Sequence, residues 1–109
     1  MKKSNKYVFD IEVFPNYFCI VLKKLNDDKI LIIDSDNFNR QKKLLYDIIS
    51  KNVLISYAGH GFDDIVINNI LKYRNSNVSR NKLNSEIKKI RNMPKDEYKN
   101  ENHEFYSYD

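Results

Sequence analysis

The sequence predicts an α/β fold: one mixed sheet with flanking helices, in the order β-β-β-α-β-α-α-β. Three observations lead there. The amino-terminal part contains three short runs rich in β-branched and aromatic residues, separated by turn residues, which is the pattern of an antiparallel meander. Beyond it, stretches with apolar residues at helical spacing alternate with short apolar runs, the pattern of helices packed on a sheet. The length, 109 residues with 41% hydrophobic, allows one small domain with its own core and no more.

Taken in order, Tyr7 to Phe14 reads as a strand. Its alternation sends Tyr7, Phe9, Ile11 and Val13 to one face and Val8, Asp10, Glu12 and Phe14 to the other. Pro15-Asn16 is a turn signal, Tyr17 to Leu25 a second strand, Asn26-Asp27-Asp28 the next turn, and Lys29 to Asp34 a third strand. After a polar link, a helix is expected from about Arg40 to Ser50, with Leu44, Leu45, Ile48 and Ile49 on its apolar stripe. Val53 to Tyr57 is a short strand, followed by a turn that holds the chain's two glycines, Gly59 and Gly61. Asp63 or Asp64 opens a helix that runs to about Tyr73, with Ile65, Ile67 or Ile70, and Leu71 facing inward. A further helix spans about Ser79 to Arg91, a polar linker with Pro94 follows, and Glu104 to Tyr108 has strand character. No repeat is present, so residues 1–109 are one domain: a core over 6–73, a basic helical segment and linker over 74–102, and a last strand over 104–109.

Charge is unevenly distributed. The net charge is +4, and residues 72–102 hold nine Lys/Arg against four Asp/Glu, whereas the amino-terminal part is nearly balanced. A basic stretch beside a patch of acids suits a protein that binds a phosphate backbone and positions cations on it, although a Lys-rich helix is also what an ordinary solvated face looks like. Cys19 is the sole cysteine, which excludes a disulfide within the chain and a zinc site built on cysteines. The longest apolar run is too short for a membrane span, and the basic start, Met1-Lys2-Lys3, leads into a strand holding Asp10 and Glu12 rather than a signal core. The expected location is cytoplasmic, with no membrane partner.

The sharpest chemical feature is Asp10-Ile11-Glu12. Two acids two apart on a strand share a face, roughly 6.6 Å apart along it. On an edge strand such a pair simply faces water. Among Phe9, Ile11, Val13 and Phe14 it is costly unless cations or donors compensate it, and paired carboxylates are how a site gathers hard cations. The second feature is Tyr57-Ala58-Gly59-His60-Gly61-Phe62-Asp63-Asp64, which puts a carboxylate where a strand passes through a glycine turn into a helix. Asp63 there also suits a helix N-cap, and Asp64 a first turn.

Together, FDIEVFPNYF and ISYAGHGFDDIVINNIL resemble the first and second motifs of the DEDD exonuclease family, which has a ribonuclease-H-like fold. The first motif looks especially like the proofreading exonuclease segment of phage and mobile-element DNA polymerases of family B. The resemblance covers residues 6–73 well and the remainder loosely. It implies a metal-dependent 3′–5′ exonuclease that hydrolyses phosphodiesters at single-stranded DNA 3′ ends with two Mg²⁺ or Mn²⁺ ions. Asp10 would bridge the cations, Glu12 would bind one and orient the attacking water, and Asp63 would hold the second. Phe14, Tyr57 and Phe62 would contact the nucleic acid, the phenylalanines by stacking on terminal bases.

Two departures qualify the resemblance. Ala58 stands where the family usually has Asn, a residue that grips the strand. The fourth acid, which follows a Tyr or His by four positions on a further helix, has no counterpart on a helix here, and neither His60 nor His103 sits where the motif requires. The expectation is therefore an incomplete exonuclease domain, a fragment of a DNA polymerase that lacks the carboxy-terminal helix. A non-catalytic nucleic-acid-binding or interaction module on the same fold, from a phage or mobile element, is the competing expectation.

Overall fold

The structure is a computed structural model that describes residues 5–56 and 62–93 in full and residues 106–108 in backbone. Five strands form one mixed sheet: β1 (Lys6–Phe14), β2 (Tyr17–Lys24), β3 (Ile30–Asp34), β4 (Val53–Ser56) and β5 (Tyr106–Tyr108), in the spatial order β3-β2-β1-β4-β5. The first three pair antiparallel as the expected meander, and β4 and β5 add on parallel to β1 and to β4. The helices are α1 (Phe38–Lys51), α2 (Phe62–Ile70), which continues as a 3-10 turn over Leu71–Tyr73, and α3 (Arg80–Arg91). The element order matches the sequence expectation.

Local chemistry accounts for the turns. Pro15-Asn16 closes the β1–β2 hairpin, with Phe14 paired to Tyr17. Asn26 has φ 68°, a left-handed conformation that Asn tolerates better than most residues. Asp27 then accepts a hydrogen bond from the Lys29 N–H at 2.9 Å. The β3–α1 link is held by Asp34, whose carboxylate accepts from the N–H groups of Asp36 and Asn37, both at 2.9 Å, and from the Tyr17 hydroxyl at 2.8 Å. Burial pushes the Asp34 pKa up, but these donors outweigh it and hold the group below its ordinary value. The same bond raises Tyr17 to about 12. Ser79 caps α3 by accepting from the Lys82 N–H at 3.2 Å, and Lys88, Lys89 and Arg91 in the last turn complement the helix dipole.

Strand alternation then decides the layers. Phe9 and Ile11 of β1, Phe18, Ile20 and Leu22 of β2, Ile33 of β3 and Leu54 of β4 are buried on one face. All three helices close over that face with Phe38, Leu45, Ile49, Val66, Ile67, Ile70, Leu83 and Ile87, all in one continuous core. Each fully buried side chain of this size contributes about 1.5–3 kcal/mol. The opposite face carries Val8, Asp10 and Glu12 on β1, Cys19 and Val21 on β2, and Ile30, Ile32 and Asp34 on β3, none of them buried. The expected flanking of the sheet is therefore one-sided among the described residues: two layers, with the acids on the open face.

Two details of the helices differ from the expectation. Leu44 lies 44% exposed, because the buried stripe of α1 runs through Phe38, Lys42, Leu45, Ile48 and Ile49; the helix also begins earlier than expected. Lys42 is buried and satisfies its ammonium with the Ser76 carbonyl and the side-chain oxygens of Asn39 and Asn77. In α2 it is Val66, with Ile67 and Ile70, that faces inward, while Ile65 is only partly buried. No described helix is long and apolar enough to cross a membrane.

Candidate metal centre and the groove beside it

Asp10 and Glu12 lie where the alternation of β1 put them, side by side on the open face, opposite Val21 and Cys19 of β2. A hydrogen bond to the Asp10 carboxyl and its negative charge raise the Glu12 pKa, and a smaller contribution from Arg91 opposes this. Two ionised carboxylates that close together repel each other, a cost that a bound cation would offset. Cys19 lies between Glu12 and Asp34 in register, and burial followed by these acids pushes its thiol up, so it is no thiolate.

Asp63 comes to the same place from the other direction. Pairing of β4 with β1 ends at Phe9 and Ser56, which leaves the next β1 donor on that side, the Ile11 N–H, to the Asp63 carboxylate. The Ser56 hydroxyl lies 3.4 Å from Oδ2 of the same carboxylate. The residue is only 3% exposed. It stands inside α2 and not at its N-cap, so the capping role its position in the sequence suggested does not apply. Burial first, and then the charge of Asp10, raise its pKa to about 7, despite the Ser56 and Ile11 donors. Asp10 thus couples electrostatically to both Glu12 and Asp63.

The three acids neighbour one another without forming one ligand shell. Among the described residues no three His, Cys, Asp or Glu side chains stand close enough together to hold a metal ion. The physical reason is the Asp63 side chain, which is turned into the protein onto Ile11 and Ser56. Asp10 and Glu12 form a two-carboxylate donor pair of the hard-oxygen kind that suits Mg²⁺ or Mn²⁺.

Phe14 ends β1 beside this pair, 54% exposed, with its ring 6.2 Å from that of Tyr17. Phe62, the first residue of α2, packs partly buried against the core, which limits the ring face it can offer a base. Tyr57, Gly59, His60, Gly61, His103 and Asp109 lie outside the described residues.

The sequence showed a basic segment but not which of its side chains remain exposed. Lys72 pairs with Glu86 at 2.8 Å, and Arg80 with Asp36 at 2.7 Å, so part of that charge is neutralised. Leu83, Ile87 and Ile90 turn inward, which places Asn84, Lys88 and Arg91 in a stripe beside the β1–β2 turn. Two adjoining clefts of about 230 and about 260 Å³ run along this stripe and share Pro15 and Lys88. The spacing of 84, 88 and 91 was the available signal, but only the packed helix shows which strand end it borders.

No protein-family model matches the chain, and no curated protein or solved structure matches it.

Proposed function

We propose that this chain carries a metal-dependent 3′–5′ exonuclease fold of DEDD type, ribonuclease-H-like and related to the proofreading segment of family-B DNA polymerases. The observation that carries the reading is the position of Asp10, whose charge acts on Glu12 beside it and on Asp63, which arrives from a separate element. The antiparallel meander, followed by strands that pair parallel, with Asp10 and Glu12 on the central strand, supports the reading.

Asp10 and Glu12 would hold the cation, and Asp63, coupled to Asp10, would complete the charge balance from behind. Bound Mg²⁺ or Mn²⁺ would supply an activated water and stabilise the leaving oxygen of a phosphodiester. The protein's own part is to concentrate negative charge at one point, to keep Asp63 out of bulk water, and to offer Phe14 as a stacking surface for a base.

The test is thermal melting during a Mn²⁺ titration. The native chain should gain stability as RT ln(1 + [L]/Kd), about 2.7 kcal/mol at a hundredfold excess over Kd. Asp10→Ala should abolish the gain. A melting point indifferent to Mn²⁺, or one that rises equally in Asp10→Ala, sinks the proposal. One observation favours a second reading, a non-catalytic nucleic-acid-binding module: the inward turn of Asp63, which leaves two of the three carboxylates accessible to an ion. Oligonucleotide binding without any Mn²⁺ response would select it.

A further inference from the structure

We propose that the groove between the β1–β2 turn and α3 seats the sugar-phosphate backbone of a single-stranded nucleic acid, with Lys88 as its principal phosphate contact and Phe14 as the stacking surface at its lip. The inference deepens the nuclease reading by giving the strand a path, and it rests on that reading for the direction in which the strand runs.

The groove is built rather than incidental. At one end Asn84 donates from Nδ2 to the Asn16 carbonyl at 3.0 Å, while its Oδ1 accepts from the buried Ser35 hydroxyl at 2.6 Å. Ser35 in turn accepts from the Phe18 N–H at 2.9 Å. At the other end the Arg91 guanidinium donates to the Val13 carbonyl at 2.8 Å. The helix and the hairpin turn are thus pinned together at both ends, and the space between them keeps its shape without a ligand.

Its chemistry is graded along its length. Asn81, Asn84 and Ser85 line one cleft, Arg91 and Asn92 line the other, and Lys88 stands between them and lines both. The cationic end is the one next to Phe14, on the strand that carries Glu12, and Arg91 acts on the Glu12 charge directly. A polyanion lying along the stripe meets amides and hydroxyls first, then cations, then the acid pair. Positive charge lining a shallow track, with an exposed aromatic ring alongside, is how single strands are held without regard to sequence. Side chains that bind a backbone need no enclosure, which fits clefts open to solvent.

The experiment is fluorescence anisotropy of a labelled oligothymidylate with the full chain in EDTA, so that binding is read without metal. Lys88→Glu should lower affinity at least about tenfold and flatten the dependence of log K on log salt by roughly 0.7 for each phosphate that is no longer neutralised. Phe14→Ala should weaken binding at least about fivefold and leave the salt slope in place. Lys43→Glu, an exposed site on α1 with the same change in charge, controls for long-range field and should cost less than about threefold. Unchanged melting points confirm that the variants fold. Equal losses in Lys88→Glu and Lys43→Glu, or no oligonucleotide binding by the native chain, overturn the groove. So does a polyglutamate of equal length that binds as tightly with the same Lys88 dependence, since the occupant is then an acidic peptide. None of these results touches the Mn²⁺ melting response, so the groove and the metal site fail separately.

Discussion

Asp63→Asn should change how stability depends on pH. In the folded chain the Asp63 pKa lies at about 7, against an ordinary value of 3.8, because burial and the Asp10 charge disfavour its ionised form. Between those two pH values the native state binds more protons than the unfolded state, so stability falls as pH rises through that window. The loss is complete above the folded pKa, where it amounts to on the order of 4 kcal/mol at 1.36 kcal/mol per pH unit of displacement. About 1.7 kcal/mol is already lost at pH 5, so the change from about pH 5 to pH 8.5 is on the order of 2.6 kcal/mol. In a domain of this size that corresponds to on the order of 10 °C in melting temperature. Asn cannot ionise, can still accept from Ile11 or Ser56 through its oxygen, and fills the same volume. Urea melts of both proteins at several pH values in EDTA should therefore show the native chain losing stability towards alkaline pH and the variant holding nearly level. Parallel profiles for the two proteins would refute the claim that Asp63 is ionised at a cost.

Other substitutions probe the fold that carries the site. Ile67→Ala removes a fully buried side chain beneath α2 and should cost about 2–5 kcal/mol in urea denaturation, which threatens folding in a domain this small. Ser79→Ala deletes the α3 cap and should cost about 1 kcal/mol in the same assay; no change would mean that α3 starts elsewhere. Ile32→Lys, at a position 50% exposed on the open face of the sheet, should alter stability by less than about 0.5 kcal/mol; a large loss would show that this face is covered. Lys42→Met should lose about 1–3 kcal/mol despite its similar length, because the Ser76 carbonyl and the Asn77 side-chain oxygen lose the ammonium donor, while Asn39 Oδ1 keeps the Val78 N–H.

Much of the fold was legible because its elements announce themselves locally. Period-two alternation in β1 put Phe9 and Ile11 on one face and Asp10 and Glu12 on the other, and the structure keeps that division. The Pro15-Asn16 and Asn26-Asp27-Asp28 turns lie where their chemistry predicted, and α3 occupies the span expected from about Ser79 to Arg91. Leu44 misled because apolar residues at adjacent positions are compatible with more than one stripe, and the true one is set by how α1 packs on the sheet. Lys42 could not be foreseen as buried, since its acceptors come from the segment before α3.

By itself, then, the sequence determined the elements, their order, and the pairing of Asp10 with Glu12, since backbone geometry at spacing two does not depend on anything distant. Tertiary structure decided what spacing cannot encode. It set all three helices on one face of the sheet, turned Asp63 inward onto the Ile11 donor left where β4 ends, and laid Asn84, Lys88 and Arg91 along the β1–β2 turn. Those placements follow from which apolar stripes close over the sheet together, a property of the assembled core and not of any one segment.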